Sequence, residues 1–206
     1  LKNHEDFRKL FSNFLFEIGY NKGETFWDRF VVRVAPAENN LPYREASRIN
    51  IHRDTWGTNL YQQINWWAPV SNVEEKNTMI FYPDYFDVPV KNTTSTWDLN
   101  IYLANRKKGD FSYPSAPQLK EDLPSNINKI PVTIKPGEIL CFSGAHLHSS
   151  SKEKSENTRI SFEIRTICEN DLNSSAQAPN VDCDLQWKFP KIFKKINDNS
   201  PLKITS

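Results

Sequence analysis

Two short motifs hold three of the four histidines of this chain, and they contain the residue types best suited to bind a metal. One is His52-Arg53-Asp54, and the other spans residues 146–148, with His146 and His148 at its ends. On an extended strand, residues two apart project to the same face, so the first motif would present an imidazole and a carboxylate together. A histidine from a facing strand would complete a set of two imidazoles and one carboxylate. Such a set leaves one coordination face open, and it suits a non-haem ferrous ion that must also bind a co-substrate and oxygen.

An arginine follows the second motif at a fixed distance. Residues 137–143 predict a tight turn and then a strand that leads to His146 and His148. Arg159 stands eleven residues beyond His148, in the sequence Arg-Ile-Ser. Its planar guanidinium can hold a carboxylate through two parallel hydrogen bonds, which a lysine cannot do.

The order and spacing of these motifs resemble the Fe(II)/2-oxoglutarate-dependent oxygenases, which share His-x-Asp, a distal histidine and a later Arg-x-Ser. Within that superfamily, residues 62–69 (QQINWWAP) and 137–150 (GEILCFSGAHLHSS) are similar to the phytanoyl-CoA dioxygenase-like branch. The resemblance covers roughly residues 27–167. It implies a double-stranded β-helix, a cupin-like jelly-roll that is all-β with flanking helices and holds iron at its open end.

The resemblance also implies a set of site residues and co-substrates. His52, Asp54 and His148 would be the catalytic metal ligands for Fe(II), with 2-oxoglutarate and O2 as co-substrates. Hydroxylation of a C–H bond would then accompany the release of succinate and CO2. The expected contacts to 2-oxoglutarate are Arg159 to its C5 carboxylate, a hydroxyl from Ser150 or Ser161, and Trp67 against the co-substrate or the metal pocket.

The choice of distal histidine is between two residues of equal parity. The ten-residue gap to Arg159 and the following Ser-Ser favour His148 over His146. His146 is then expected to support a ligand, to face the substrate or to lie at the surface. A cupin-type site built on these two histidines and Glu153 is a competing interpretation, but no histidine follows His148 to complete it. A non-catalytic jelly-roll protein that binds a metal or ligand is the other alternative.

The elements that must position these residues are mostly short strands. Apolar residues at helical spacing predict a helix over 5–18, ended by Gly19. Short β-branched and aromatic segments separated by Pro, Gly and Asn predict an all-β sandwich or barrel. These predicted strands are residues 27–34, 47–54, 60–67, 78–82, 130–134, 138–143 and 158–167. In the last of them, four polar residues alternate with three apolar ones, so each set occupies one face: Arg159, Ser161, Glu163 and Arg165 against Ile160, Phe162 and Ile164.

The length of 206 residues fits a single oxygenase domain with a core of about 27–167. The proline-containing segment 84–128, with a weak helical patch at 96–105, predicts a lid or a substrate-binding loop over the barrel mouth. We expect Trp56, Trp66 and Trp67 to form aromatic walls beneath it. A C-terminal extension covers 169–206, and its basic, aromatic stretch 187–195 predicts a strand or helix packed on the outside.

The amino-acid composition limits the kinds of binding partner that we expect. A net charge of +1 gives no reason to expect nucleic acid or an anionic membrane as a partner, and no apolar run approaches a membrane span. Three cysteines without a Cys-x-x-Cys pair favour free thiols in a reducing compartment, so we expect a cytoplasmic protein. Its substrate is expected to be a small, polar metabolite. The assembly expected is a monomer or homodimer.

Overall fold

A computed structural model describes residues 5–37, 49–110, 112–151, 153, 155–174 and 176–204. The described chain is mostly β-sheet with a few helices. The helices are α1 (Glu5–Glu17), α2 (Thr55–Thr58), α3 (Leu99–Lys107) and α4 (Glu169–Ser174), with single 3-10 turns at Glu75–Asn77, Pro83–Tyr85 and Pro190–Ile192. The strands are β1 (Thr25–Trp27), β2 (Val31–Ala35), β3 (Ile64–Pro69), β4 (Met79–Phe81), β5 (Ile130–Pro131), β6 (Leu140–Ser143), β7 (His148–Ser150), β8 (Arg159–Cys168) and β9 (Lys194–Lys195).

The strands form two antiparallel sheets. The larger follows the order β6-β3-β8-β1-β9, and β2 also pairs with β8, beyond the end of β1. The smaller has the order β5-β4-β7, and residues 49–52 continue it through backbone hydrogen bonds to β7. Side chains from both sheets, including Trp67 on β3 and Met79 on β4, pack together in one apolar cluster between them.

The central strand β8 has two chemically different faces, as its alternation predicts. Its register sets Glu163 opposite Trp67 and Arg165 opposite Asn65, so the polar residues share the face that looks toward the smaller sheet. On the other face, Ile164 packs with Trp66 against residues of α1. We call these the inner and outer faces of the larger sheet.

Helix α1 covers part of the outer face, and its prediction from sequence is confirmed. Phe11 and Leu15, one turn apart, are buried against Trp66 and its neighbours. The helix ends at Glu17, and Gly19, which was predicted to stop it, has a φ of +100° that is readily adopted only by glycine. The Tyr20 N–H then donates to the Leu15 carbonyl at 2.9 Å and closes the last turn.

The predicted strand 27–34 is two strands separated by a bulge. Four residue steps from Trp27 to Val31 oppose only three steps from Thr166 to Glu163 on β8, so one residue is extra. The bulge reverses the side-chain alternation. As a result, Trp27 packs on the outer face, whereas Arg33 faces inward beside Glu163.

The prediction of a strand over 47–54 is only partly correct within the described residues. Residues 49–52 pair with β7 through the β-bridge at His52 and a hydrogen bond to the Ile49 carbonyl, but residues 53–54 leave the sheet. Residues 47 and 48 lie outside the described residues. After the bridge the chain turns, and Asp54, with φ −65° and ψ −29°, leads directly into α2. This turn therefore brings His52 and Asp54 together. Their proximity was predicted from the two-residue periodicity of a strand, which does not apply here.

The remaining segments pack around the sheets. The predicted helical patch near 96–105 is α3, and the C-terminal region contributes β9, which pairs with β1 and buries Phe193. All three cysteines are free, as their odd number suggested. None of the helices in the described part of the chain is long and apolar enough to cross a membrane.

Candidate metal centre and co-substrate pocket

The two predicted histidine ligands face each other across a pair of backbone hydrogen bonds. The N–H of each of His52 and His148 donates to the carbonyl of the other, at 2.9 and 3.0 Å, and the ring centroids are 4.3 Å apart. Each Nδ1 also lies against a backbone carbonyl, that of Asn50 at 2.8 Å and that of His146 at 2.9 Å. Because a carbonyl can only accept, each Nδ1 is the donor. This fixes the tautomer that leaves a lone pair on Nε2 for a metal.

Asp54 completes a compact group of donors. Its Oδ1 lies 3.8 Å from Nε2 of His52, and its Oδ2 lies 3.5 Å from Nε2 of His148. Ligand atoms from all three residues lie within 4.8 Å of one another. The turn into α2 holds the carboxylate there, since the Thr55 N–H donates to the Gly144 carbonyl at 3.2 Å.

The electrostatics of this group favour the unprotonated donors that a metal requires. Burial alone would raise the pKa of Asp54, but His148, His52 and Arg165 nearby, with a hydrogen bond from Asn65, lower it to about 2. Burial lowers the pKa of His148 to about 4. At neutral pH the site therefore offers a carboxylate and a neutral imidazole.

Arg159 lies buried with unmet hydrogen-bonding capacity. Its Nε has no hydrogen-bond partner among the described residues, and its guanidinium carbon lies 5.9 Å from the centre of the Trp67 ring. Burial, together with Arg33, lowers its pKa to about 10. The hydroxyl of Ser161, fully buried on the same face of β8, is likewise unpartnered within the described structure.

Ser150 joins this pocket from the smaller sheet. It lines one small cavity together with Arg159, Asn77 and Ser151. Its hydroxyl already accepts a hydrogen bond from the Ile49 N–H at 3.2 Å. Of the two serines predicted from sequence, Ser161 has no hydrogen-bond partner in the described structure, whereas Ser150 accepts one hydrogen bond and keeps its own proton to donate.

The other two arginines of the inner face are paired. Arg33 forms a two-point ion pair with Glu163, with N–O distances of 2.5 and 2.8 Å. Arg165 donates through Nε to the buried Asp28 carboxylate at 2.6 Å, and its Nη1 lies 4.0 Å from Asp54 Oδ1. These pairings single out Arg159 as the inner-face guanidinium with no carboxylate at ion-pair distance in the described part of the chain.

His146 lies beside the metal group and outside it. Its half-buried ring is surrounded by three phenylalanines, with centroid distances of 4.6 Å to Phe86, 5.5 Å to Phe81 and 6.4 Å to Phe142. Phe86 belongs to the predicted lid segment. His146 therefore occupies an aromatic rim next to His148.

The predicted aromatic walls are only partly correct. Trp67 faces inward, but Trp66 lies on the outer face beneath α1, and its Nε1 donates to Thr166 at 2.8 Å. Trp56 is fully buried in a separate cluster, where its Nε1 donates to Asp182 at 2.7 Å. These two tryptophans stabilise the fold and do not line the pocket.

The side chain of Arg53 points away from the candidate ligands on either side of it. Its guanidinium donates to the carbonyls of Ala145, Tyr85 and Val88 at 2.6, 2.6 and 2.9 Å. Its Nε donates to Asp182 at 3.1 Å. Arg53 thus connects the start of the predicted lid segment and the C-terminal segment to the candidate metal centre.

No family model matches this sequence, and no curated protein matches it. Among solved structures, it is similar to EvdO2 from Micromonospora carbonacea var. aurantiaca, with a TM-score of 0.48 and 12% identity over 89% of this chain and 62% of EvdO2. ThoJ in its apo form, a non-heme monooxygenase, gives 0.46 and 14%, over 71% of this chain and 47% of ThoJ. SnoK, a non-heme alpha ketoglutarate dependent carbocyclase from nogalamycin biosynthesis, gives 0.44 and 12%, over 84% and 63%. The chain spans less than two thirds of the length of each of these proteins.

Proposed function

We propose that this protein is an Fe(II)- and 2-oxoglutarate-dependent dioxygenase that hydroxylates a C–H bond of a small, polar metabolite and releases succinate and CO2. One observation carries the proposal. A buried arginine without a carboxylate partner in the described structure lies in the same inter-sheet space as two imidazoles and a carboxylate. A carboxylate-bearing co-substrate would satisfy the arginine and the metal together.

The donor set fits a ferrous ion. His52, Asp54 and His148 would bind it through two neutral imidazole nitrogens and one carboxylate, leaving three positions of an octahedral ion for other ligands. Iron loaded with 2-oxoglutarate and oxygen supplies the oxidising chemistry. The residues of this chain hold the donors in place, orient the co-substrate and exclude water.

The position of Arg159 supports 2-oxoglutarate as the co-substrate. His148 and Ser150 are two residues apart on β7, about 7 Å along a strand, and Ser150 shares a cavity with Arg159. A five-carbon dicarboxylate can bridge this gap, with one end at the metal and the C5 carboxylate on Arg159. Ser161 would add a hydroxyl, and Trp67 would lie against the carbon chain.

The charges of the inner face favour a substrate without phosphate groups. Arg33 and Arg165 are paired with Glu163 and Asp28, so neither is available to a polyanion such as an acyl-CoA. Residues 62–69 and 137–150 resemble the phytanoyl-CoA dioxygenase-like branch. We therefore propose that this protein shares the domain architecture of that branch but not an acyl-CoA substrate. The carboxylate of Asp54 favours hydroxylation over halogenation, because halogenating relatives have a small residue in its place.

The test is anaerobic addition of Fe(II) and 2-oxoglutarate, followed by visible absorption spectroscopy. The wild-type protein should develop the weak charge-transfer band of the chelated complex, and Asp54→Ala should not. Admission of oxygen should then release succinate, even uncoupled, and a metabolite panel would identify the substrate by its stimulation of that release. No band at saturating metal and 2-oxoglutarate would contradict the proposal and favour a binding protein without turnover.

A further inference from the structure

A buried chain of hydrogen bonds leads away from the proposed metal ligand Asp54 through three polar side chains. Asn65 donates through Nδ2 to Asp54 Oδ2. Gln63 donates through Nε2 to Asn65 Oδ1 at 2.9 Å, and Thr58 donates its hydroxyl to Gln63 Oε1 at 3.1 Å. The chain begins at the Leu60 N–H, which donates to Thr58 Oγ1 at 3.4 Å.

The direction of every bond in this chain is determined by its carboxylate end. An ionised Asp54 can only accept, so Asn65 presents its nitrogen to Asp54, Gln63 presents its nitrogen to Asn65, and Thr58 donates its proton to Gln63. The Leu60 N–H uses one lone pair of Thr58 Oγ1, which is compatible with this direction. Each amide between them can satisfy both neighbours in one orientation only, with its oxygen toward Thr58 and its nitrogen toward Asp54. We infer that Thr58, Gln63 and Asn65 are positioning residues, which hold the Asp54 carboxylate in the orientation that binds the metal.

The packing of this chain shows that it is closely constrained. Thr58, Gln63 and Asn65 are only 2%, 0% and 5% exposed. The turn after β6 lies directly on the Gln63 amide: a Cβ added to Gly144 would be 2.6 Å from Gln63 Nε2. The Gly144 N–H also donates to the Gln63 carbonyl at 3.0 Å. The amides therefore have little room to rotate or to exchange partners.

The hydrogen bond from Asn65 also makes the two oxygens of Asp54 different. Oδ2 accepts from Asn65, whereas Oδ1 lies on the side of His52 and Arg165. A carboxylate held in this way cannot rotate freely, so the entropy of ordering it is already lost before a metal binds. Hydrogen-bonding partners of metal ligands commonly contribute 10–100-fold to metal affinity.

This inference rests on the proposed metal site, and binding of Co(II) followed by visible absorption tests the two separately. We expect Asn65→Leu to raise the Kd for Co(II) by about 10–100-fold. Thr58→Val should raise the Kd by a smaller factor, because it removes the hydroxyl and keeps the shape. Thr58→Ser restores the hydroxyl and should restore binding. Gln62→Ala is the matched control, since Gln62 is the next residue and bonds only to the exposed Gln177 in the described structure.

Thermal denaturation of each metal-free variant establishes whether it is folded. The Kd values of Thr58→Val and Thr58→Ser are then compared at a temperature where both are folded, so a difference between them does not arise from unfolding. If Asn65→Leu binds Co(II) as tightly as Gln62→Ala, the positioning role is wrong and the metal site stands. If Asn65→Leu does not fold, equal Kd values for the two Thr58 variants overturn the inference. If the wild-type protein binds neither Co(II) nor Fe(II), the proposed function itself fails.

Discussion

Replacing Arg159 by methionine should strongly weaken 2-oxoglutarate binding and leave the metal-free protein at least as stable as the wild type. The two effects have one cause. Arg159 is 3% exposed, its Nε has no partner in the described structure, and burial and Arg33 lower its pKa to about 10. Without a ligand, the protein retains a buried cation that is incompletely satisfied, and the proposed co-substrate would supply the missing carboxylate.

The magnitudes follow from the contacts that each state makes. An unsatisfied buried donor costs about 1–3 kcal/mol, and its removal offsets the loss of about 0.5–2 kcal/mol from the cation–π contact with Trp67. The metal-free Arg159→Met protein should therefore unfold at the wild-type temperature or a few degrees above it, since each kcal/mol shifts Tm by about 2–4 °C in a chain of this size. Two charge-assisted hydrogen bonds to a carboxylate contribute about 1.5–3 kcal/mol each, so the Kd for 2-oxoglutarate should rise about 10²–10⁴-fold.

Anaerobic titration of 2-oxoglutarate into the Fe(II)-loaded protein measures the Kd, and calorimetry of the metal-free protein measures Tm. Arg159→Lys keeps the charge but loses the planar fork, and should bind with intermediate affinity. Ile160→Thr is the control, because its side chain is exposed on the outer face. A Kd for Arg159→Met within tenfold of wild type would refute the carboxylate clamp. A large fall in Tm would show that Arg159 stabilises the fold directly.

Three further outcomes are expected. Asp54→Ala should abolish metal binding and succinate release, so near-normal release would contradict the site. His52→Ala should do the same, whereas a cupin-type site would retain its metal. Burial lowers the pKa of His148 from 6.5 to about 4, so the unfolded chain binds a proton that the folded, metal-free protein does not. The free energy of unfolding of the metal-free protein, measured by urea titration, should thus fall as the pH drops from about 6.5 to 4. If this pH dependence is unchanged in His148→Asn, His148 is not its source.

The residues of the candidate site were predictable because their chemistry is local to short motifs. His52, Asp54 and His148 meet as expected, and the alternation of β8 correctly set Arg159 and Ser161 on one face. The way in which His52 and Asp54 meet was not predictable. Period two suggested a strand, but the observed turn into a helix depends on the Gly144 carbonyl, about ninety residues further along the chain.

Other features of the structure were not predicted, because they depend on uncharged side chains or on residues far apart in the sequence, and neither leaves a recognisable sequence pattern. Asn65 lies in the tryptophan-bearing motif, and only its parity with Trp67 could have indicated that it faces the site. The bulge between β1 and β2 requires knowledge of the register with β8, since the apolar pattern of 27–34 reads equally well as one strand. Asp182, 129 residues from Arg53, could be identified as its partner only from the folded structure.

Arg53 connects residues 85–88, at the start of the predicted lid segment, to the candidate metal centre. The residues on either side of it are proposed ligands, while its own guanidinium holds the carbonyls of Tyr85 and Val88 and the carboxylate of Asp182. Because Arg53 is only 2% exposed, its side chain has little room to adjust, and we expect a shift of its partners to be passed to the backbone between the two proposed ligands. Displacement of the lid segment at 85–88 should therefore alter the spacing of the metal ligands. Arg53→Lys, which keeps the charge but cannot reach several carbonyls at once, should both increase amide hydrogen exchange in the lid and weaken Co(II) binding. Faster exchange with unchanged metal affinity would show that the lid moves independently of the metal centre.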